Sequence, residues 1–416
     1  METGLTPGPR FSYGEAMQKP VRHTKVSLIL FASIFLSSCT DKVTTLRILT
    51  DRKELASAAE IYNSANENVI VTIHNVSIID DEVIENENPD LVIGSFLSSS
   101  EIIDLLRPSE AVFPVYEALS GPRDSKGRRF LTPLAFELPL IMGRKEIMSE
   151  LPDAMLVQPE DLREAAAPYT AENNEGRLIR LGFSPAWNPQ SLTDLLALRA
   201  PGIFAAGMEN FDEVLLGRIV EETRDWITES AGDTAADTAF DKRYRYIPDE
   251  YLIIDGRILF ARTDFDYWAT LPDTITGALD LRYLSGPRKI PVISVTSAGI
   301  PLKTSSPDAA SAFIQWLMLP ETQSLLMDRW KRDGIDVFGF LGGLSSLKEV
   351  NESIIKNMIP EGHYLQVPES RPLRWSRIRD EVIIPWFQSA LSNTSTEPTL
   401  TEAYRKWDLS SLAEGK

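Results

Sequence analysis

Cysteine and histidine are scarce in this chain. Cys39 is the only cysteine, and the three histidines, His23, His74 and His363, lie far apart in the sequence. No disulfide can therefore form within the chain, and no multi-thiolate metal site is possible. The wide spacing of the histidines also gives no sequence motif for a histidine-based metal site. The chain also lacks the glycine-rich phosphate loops, the HExxH zinc motif and the GxSxG nucleophile motif. The sequence predicts no metal and no cofactor, and it favours a protein that is not an enzyme.

Positive charge is in deficit as well. The 42 lysines and arginines face 60 aspartates and glutamates, which gives a formal net charge of −18. Because nucleic acids bind basic surfaces, this balance argues against a nucleic-acid partner. The composition, 43% hydrophobic and 25% charged, is that of a folded soluble protein. At 416 residues the chain is too long for one hydrophobic core, so two domains are expected.

One short apolar segment stands near the N-terminus. Residues 26–36 are apolar apart from two serines, and three basic residues precede them within residues 19–25. This arrangement is typical of a cleaved signal peptide, which we predict to span residues 1–38, and the segment is too short for a permanent membrane span. Prolines interrupt the residues before Met17, so translation starting at Met17 is an alternative that gives a compact signal.

The apolar segment ends in Leu36-Ser37-Ser38-Cys39, which resembles the lipobox of bacterial lipoproteins. The resemblance implies that Cys39 is lipidated and becomes the first mature residue, with residues 39–43 as a tether. Acyl chains hold a folded domain at a membrane surface while the domain stays in water. We therefore expect a lipid-anchored protein on the periplasmic or extracytoplasmic face of a membrane. The alternative is a cysteine that merely follows a signal peptide.

After the tether, short β-like segments alternate with helical ones. Thr44 to Thr50, Val69 to Val76 and Pro89 to Phe96 read as strands, with helical patterns between them. This alternation predicts an α/β fold with largely parallel strands. The apolar segment from Leu131 to Met142 contains two prolines, which suits a strand that crosses between domains. Tyr251 to Arg262 is predicted to form two short strands around the turn Asp255-Gly256.

Four segments in this order resemble bacterial extracellular solute-binding proteins of ABC importers, of the carbohydrate type. They read LRILTDRKELASAAEIYNSANENVIVTIHNV, PDLVIGSFL, LTPLAFELPLIMGRKEI and AGIPLKTSSPDAASAFIQWLMLPETQ. The resemblance covers the chain from about Thr45 onward. It implies a two-lobed periplasmic-binding-protein architecture, in which two α/β lobes close on a hinge around a ligand in the cleft between them.

The resemblance also implies the division of the chain and its function. Lobe one would comprise residues 44–138 and 265–335, and lobe two residues 139–264 and 336–416, with crossings near Glu137, Asp264 and Val337. Such a protein is a monomer that captures a sugar or sugar-like solute and delivers it to the permease subunits of an ABC importer. It performs no covalent chemistry, since a separate ATPase hydrolyses ATP.

Ligands of open α/β sheets bind beyond the carboxyl ends of the strands. Asp51 and Arg52 follow the first strand, and the resemblance implies that this position supplies polar side chains to the ligand. Ser95 and Phe96 close the third strand, where the family places a polar group and an aromatic ring. Glu137 lies at the crossing, where a carboxylate can accept hydrogen bonds from hydroxyl groups. Helix capping by Asp51 and solvent exposure of Arg52 and Glu137 are the structural alternatives.

Sugar sites combine aromatic platforms with planar polar groups. Trp187 and Trp268 are the predicted platforms, because both are expected in loops near strand ends, although ordinary packing would explain them too. Gly342, Gly343 and Ser345 are predicted to approach the ligand with backbone N–H groups at the start of a helix. A tight turn and a helix cap are the alternative explanation for these three residues.

Three other functions stay open on the sequence alone. The first is a receptor for glycerol 3-phosphate or a glycerophosphodiester, with phosphate contacts from Arg52, Arg262 and the glycine loop. The second is a secreted glycosidase, which would use a carboxylate pair such as Asp264 and Asp266. The third is a surface adhesion lipoprotein without an enclosed polar cleft.

Overall fold

The computed structural model describes residues 43–109, 111–121, 123–287, 289–368, 370–392 and 398–414. The predicted signal peptide, the alternative start at Met17, Cys39 and most of the tether lie outside the described residues. The chain from Val43 onward forms a compact unit of its own. No helix within the described ranges is both long enough and apolar enough to cross a membrane.

The strands are short and fall into two main sheets. They are β1 (Thr44–Thr50), β2 (Val69–Asn75), β3 (Leu91–Ser95), β4 (Leu131–Glu137), β5 (Leu140–Arg144), β6 (Leu156–Val157), β7 (Ala171–Glu172), β8 (Leu178–Arg180), β9 (Phe260–Thr263), β10 (Leu279–Leu284), β11 (Ile290–Pro291), β12 (Ser294–Gly299), β13 (Leu344–Ser345) and β14 (Leu365–Gln366). The first sheet has the order β13-β4-β12-β3-β1-β2, and the second has the order β6-β10-β5-β9. β11 pairs with β14, and β7 with β8.

Helices cover both sheets and form the C-terminal part of the chain. The α-helices are Leu55–Ala65, Asp81–Glu87, Ser100–Asp104, Lys145–Met148, Pro159–Ala166, Pro189–Arg199, Glu213–Ala231, Thr234–Tyr244, Asp249–Ile254, Phe265–Thr270, Asp273–Thr276, Pro307–Leu317, Pro320–Asp333, Lys348–Ile354, Trp375–Ile378, Ile384–Ser392 and Leu400–Glu414. A π-helical turn, Arg379–Ile383, joins two of the last helices. Short 3-10 turns lie at Glu117–Leu119, Ala167–Tyr169 and Gly362–Tyr364.

The first sheet begins with parallel pairing and is completed by later parts of the chain. β1 pairs in parallel with both β2 and β3, as the alternating pattern predicts. β12 then lies antiparallel between β3 and β4, and β13 adds to the free edge of β4. Leu46, Ile48 and Leu134 from these strands pack against Phe313 and Trp330 from two covering helices. Burial of these large apolar side chains makes this the core of the first sheet.

The second sheet begins directly after the first crossing. β4 ends at Glu137 and β5 begins at Leu140, so two residues carry the chain from one sheet to the other. β5 pairs antiparallel with β9 and β10. A separate helical core forms beside this sheet, where Leu196 and Val220 pack against Phe387 from the C-terminal helices. Ile141 and Phe260 of the second sheet pack in a further core with Trp226. Another core continues across the crossing, because it holds Phe136 of the first sheet together with Leu140 of the second.

Strand pairing differs from the predicted lobe bounds in two segments. The bounds place β10 in lobe one, but β10 pairs with β5 and β6 in the second sheet. They place β13 in lobe two, but β13 pairs with β4 in the first sheet. The chain therefore returns to the first sheet between β10 and β12, later than the crossing predicted near Asp264.

The prediction of two strands between Tyr251 and Arg262 is wrong. Asp249–Ile254 is a helix, and only β9 is extended. Pro248 precedes this helix, and Asp249 and Glu250 lie in its first turn, where negative charge is favourable. Gly256 has a φ of 69°, a conformation typical of the residues that end a helix. The Asp255-Gly256 pair therefore ends a helix and does not form a hairpin turn.

Candidate functional site

Asp51 joins the carboxyl ends of β1 and β3. Its Oδ2 accepts a hydrogen bond from the backbone N–H of Ser95 at 3.0 Å. The next helix begins only at Leu55 and has no side-chain cap. The alternative in which Asp51 caps this helix is therefore wrong, because the Asp51 carboxylate binds the neighbouring strand end.

Arg52 is the centre of a polar cluster at these strand ends. Its Nη2 donates to the Ser95 hydroxyl and lies 3.5 Å from Oε1 of Glu137, while its Nε lies 3.4 Å from Oδ1 of Asp51. Only 16% of the side chain is exposed. Burial lowers the pKa of Arg52, but the carboxylates of Asp51 and Glu137 outweigh it and leave the pKa raised. Arg52 therefore stays charged and fixed in place.

Glu137 lies at the first crossing, where β4 ends. Burial raises the pKa of this carboxyl, Arg52 opposes the shift, and Asp266 adds to it. Asp266 is a member of the cluster that the sequence did not single out as a ligand-binding residue. Its Oδ1 accepts the backbone N–H of Phe338 at 2.9 Å, and burial raises its pKa too. We call Asp51, Arg52, Ser95, Glu137 and Asp266 the strand-end cluster.

Two of the three predicted loop residues lie against this cluster. A Cβ at Gly342 would lie 3.0 Å from Nη1 of Arg52 and 3.6 Å from Oδ2 of Asp266. A Cβ at Gly343 would lie 2.4 Å from the carbonyl oxygen of Phe136. Glycine is therefore required for the loop to approach the crossing strand so closely.

Ser345 is placed differently from its neighbours in the loop. It lies in β13 and is fully buried. Its hydroxyl donates to Oε1 of Gln323 at 2.5 Å and accepts the backbone N–H of Leu347 at 2.9 Å. The predicted helix starts only at Lys348. Ser345 therefore holds the first sheet to its helices and does not face the cluster.

An open cavity, of about 690 Å³ when the solvent space at its mouth is included, lies near the cluster. Ile293, which donates its backbone N–H to the carbonyl of Glu137 at 3.0 Å, forms part of its wall and links the two regions. The wall is otherwise built by the Pro189–Arg199 helix, the loop after it and the C-terminal segment. Its members are Gln190, Thr193, Asp194, Leu196, Ala197, Ala200, Gly202, Ile203, Phe204, Ala205, Arg262, Ile293, Pro368, Ser370, Arg371, Pro372, Trp375, Arg379 and Ile383.

One ion pair in this wall is sealed from solvent. Nε of Arg262 lies 3.2 Å from Oδ2 of Asp194, with side chains that are 6% and 2% exposed. Nη1 of Arg262 lies 3.3 Å from Oδ2 of the half-exposed Asp264. The positive charge of Arg262 is thus matched within the protein.

Phe96 ends β3 with a left-handed backbone, at a φ of 59°. This conformation is uncommon for an aromatic residue. Its ring centre lies 5.6 Å from the guanidinium carbon of Arg371 and 6.0 Å from that of Arg379. Phe96 therefore contacts the C-terminal segment, and it lines a second small cavity that shares Pro368 and Arg371 with the first.

The predicted tryptophan platforms lie away from the cavity wall. Trp187 stacks on Phe240, with ring centres 5.5 Å apart. Trp268 lies in the Phe265–Thr270 helix, so the prediction of a loop is wrong there, because Asp264 caps this helix through the N–H of Tyr267. The aromatic residues in the wall are Phe204 and Trp375. Sequence reasoning missed Trp375, although the segment RPLRWSRIR holds four arginines around it.

No cluster of three or more histidine, cysteine, aspartate or glutamate side chains that could hold a metal occurs in the described part of the chain. The arrangement instead offers carboxylates and a guanidinium at the strand ends, beside a largely apolar cavity with an aromatic wall. Carboxylates accept hydrogen bonds from hydroxyl groups, and aromatic rings pack against C–H faces. The arrangement can therefore contact both the hydroxyl groups and the C–H faces of a polar solute.

No protein-family model matches this chain, and no curated protein matches it. Solved structures do match. The sugar-binding protein MalE of Xanthomonas citri has a TM-score of 0.60 at 14% identity, over 88% of this chain and 99% of that one. An extracellular solute-binding protein of Staphylococcus aureus, solved in complex with maltose, has a TM-score of 0.57 at 12% identity, over 89% and 98%. An open sugar transporter protein of Rhizobium etli has a TM-score of 0.59 at 14% identity, over 86% and 98%.

These comparisons establish the fold. The chain has the two-lobed α/β fold of extracellular sugar-binding proteins, which confirms the predicted fold class. The match extends over almost the full length of each solved protein.

Proposed function

We propose that this chain is the solute receptor of an ABC importer and captures a sugar or sugar-like solute at the junction of its two sheets. The observation that carries the proposal is the strand-end cluster near the open cavity, within the fold of sugar-binding proteins. Arg52 and Glu137 supply a donor and an acceptor for hydroxyl groups. Trp375 and Phe204 supply aromatic surface for the ring of the solute.

Binding alone, without hydrolysis, is the activity that we propose. A glycosidase needs two carboxylates free to act on either side of the scissile bond. Asp264 is paired with Arg262 and accepts the N–H of Tyr267, while Asp266 accepts the N–H of Phe338. Both carboxylates of the candidate catalytic pair thus have structural partners. The absence of sugar release from aryl glycosides and oligosaccharides would support this part of the proposal.

Delivery to a permease, membrane anchoring and a monomeric state form the rest of the proposal. Anchoring rests on the signal-like N-terminus and on the lipobox-like residues that end in Cys39. Delivery and the monomeric state rest on the likeness to extracellular sugar-binding proteins. Incorporation of radiolabelled palmitate in a bacterial host tests the anchor. Label should enter the full chain and be lost in Cys39→Ser, with the protein released from the membrane fraction. Equal labelling of the two proteins would contradict the anchor.

Arg52 and Arg262, the arginines predicted to contact phosphate, do not support a glycerophosphate receptor. Arg52 is paired with Asp51 and Glu137, and Arg262 with Asp194 and Asp264. Neither charge needs an external anion. A phosphate-binding receptor would therefore need other cationic groups.

Isothermal titration against a panel of mono- and oligosaccharides tests the proposed site. Trp375→Leu should weaken sugar binding at least tenfold, because Trp375 lies in the cavity wall. Trp187→Leu is the matched control, since Trp187 stacks on Phe240 away from that wall and should leave binding unchanged. A saturating sugar at a hundred times its dissociation constant adds about 2.7 kcal/mol to stability, which thermal melting also detects.

The outcome of the tryptophan comparison locates the ligand. Loss of binding in Trp187→Leu with no change in Trp375→Leu would refute the cavity as the sugar site and favour the platforms predicted from the sequence. A protein shown to be free of ligand by native mass spectrometry that binds no sugar in the panel would contradict the sugar receptor.

A further inference from the structure

Arg371 is an arginine in the cavity wall without an acidic partner in the described part of the chain. Its Nη2 donates to the backbone carbonyls of Val292 and Ile293, each at 3.2 Å. Its Nε and Nη1 groups have no hydrogen-bond partner among the described residues, and neither is sealed from solvent. A guanidinium carries five N–H donors, so most of those of Arg371, which lines the cavity, have no partner among the described residues.

Two aromatic rings fix the position of this guanidinium. Its central carbon lies 4.9 Å from the ring centre of Trp375 and 5.6 Å from that of Phe96. Together with the two backbone carbonyls, these contacts hold the planar group in one orientation. The cost of ordering a long flexible side chain is therefore met before any ligand binds.

Arg379 places a second positive charge in the same wall. It lies 6.0 Å from the ring of Phe96 and pairs with Asp380, a half-exposed residue outside the cavity wall, through two hydrogen bonds of 2.7 and 2.9 Å, so its charge is partly matched. Burial, with a further contribution from the charge of Arg379, lowers the pKa of Arg371 to about 10. Two cations thus destabilise each other in the empty protein. An anion bound at Arg371 would offset that repulsion.

Arg262, in the same wall, is a structural arginine and serves for comparison. It is sealed from solvent and neutralised by Asp194. Arg371 differs, because nothing in the described structure neutralises it. An arginine that is fixed, partly desolvated and without a counterion is typical of a binding site for carboxylate or phosphate, whose oxygens accept two parallel N–H bonds from the guanidinium edge.

We propose that the solute carries an oxyanion, either a carboxylate or a phosphate, which Arg371 and Arg379 bind at the end of the cavity. The solute is then an acidic sugar derivative, such as a sugar acid or a sugar phosphate. Its sugar part lies against Trp375 and the aliphatic wall of Leu196 and Ile203. This inference rests on the proposed function and names the chemical class of the solute.

The test compares four probes at constant ionic strength: glucose, glucuronate, glucose 6-phosphate and inorganic phosphate. Binding is measured by isothermal titration and by melting temperature for the wild type, Arg371→Gln, Arg371→Lys and Arg379→Gln. Arg405→Gln is the matched control, because Arg405 is exposed on the C-terminal helix and pairs with Glu209. Arg379→Gln leaves the backbone contacts of Arg371 intact, so it tests the site even where Arg371→Gln unfolds.

At least one anionic sugar should bind tenfold or more tightly than glucose in the wild type and in Arg405→Gln. This preference should disappear in Arg371→Gln and Arg379→Gln, and Arg371→Lys should restore only part of it. Whether glucuronate or glucose 6-phosphate binds more tightly identifies the oxyanion.

Two results overturn the inference, and they are distinct from failure of the sugar receptor. Glucose that binds as tightly as both anionic sugars would refute the oxyanion site and leave the receptor standing. The oxyanion site would also be refuted if the wild type, Arg371→Gln and Arg379→Gln bound phosphate and the anionic sugars with equal affinity and showed equal shifts in melting temperature. Stabilisation by inorganic phosphate that the two glutamine variants lose, without binding of any sugar, would support the oxyanion site and contradict the sugar receptor.

Discussion

Removing the carboxylate of Asp194 should destabilise the protein by about 3 kcal/mol. Asp194→Asn leaves the charge of Arg262 buried without its closest partner, and breaking one side of a buried pair costs about 3–5 kcal/mol. Asp264, which is 3.3 Å from Arg262 and half exposed, retains part of the compensation, so the lower end of that range applies. The free energy of unfolding is measured in urea at neutral pH, by tryptophan fluorescence and by circular dichroism.

A matched exposed pair gives the control for this experiment. Arg199 lies on the same Pro189–Arg199 helix as Asp194 and pairs with Glu160. The side chain of Glu160 is 60% exposed. Because solvent screens such a pair, Glu160→Gln should cost no more than about 1 kcal/mol. A loss in Asp194→Asn that equals the loss in Glu160→Gln would refute the reasoning that the Asp194 carboxylate offsets a buried charge.

Two further predictions concern the glycine loop and a buried carboxyl group. Gly343→Ala should destabilise the protein by about 1–3 kcal/mol and weaken solute binding, because its Cβ would meet the Phe136 carbonyl at 2.4 Å. Gly217→Ala is the control, because a Cβ there meets open space on a helix, and it should raise the free energy of unfolding by up to about 1 kcal/mol. Equal changes in the free energy of unfolding in urea for the two variants would contradict the clash at Gly343. Burial and the charge of Asp241 raise the pKa of Asp237 to about 6. Because the carboxyl group ionises more easily in the unfolded chain, the free energy of unfolding falls as the pH rises from about 4 to 6. Asp237→Asn should therefore add up to about 3 kcal/mol at pH 7.5 and little at pH 4, and the same gain at both pH values would contradict it.

The strand-end residues could be predicted from the sequence because each follows a strand that is recognisable from its own residues. β1 and β3 are neighbouring strands that run parallel to each other, so the residues after them meet at one edge of the sheet. That rule brought Asp51, Arg52 and Ser95 together on sequence alone. The crossing at Glu137 was readable from the prolines of the apolar segment. Whether these residues bind the solute stays a prediction.

The cavity wall could not be predicted in the same way. Arg371 and Arg379 meet Phe96 only because the C-terminal segment folds back over the end of β3. Such a contact joins residues distant in the sequence, and no local pattern specifies it. The sheet to which β10 and β13 belong was misassigned for a related reason. Both strands are short, and pairing with β5 and β4 respectively decides their place.

The order of strands in the first sheet has a consequence for synthesis of the protein. β12 pairs with β3 along one whole edge, yet it begins about 200 residues later in the chain. At ribosomal rates of about 5–20 residues per second, the edge of β3 waits about 10–40 s for its partner. During that interval its N–H and C=O groups can pair with another nascent chain. The early segments of this protein are therefore expected to need a chaperone until Gly299 has left the ribosome.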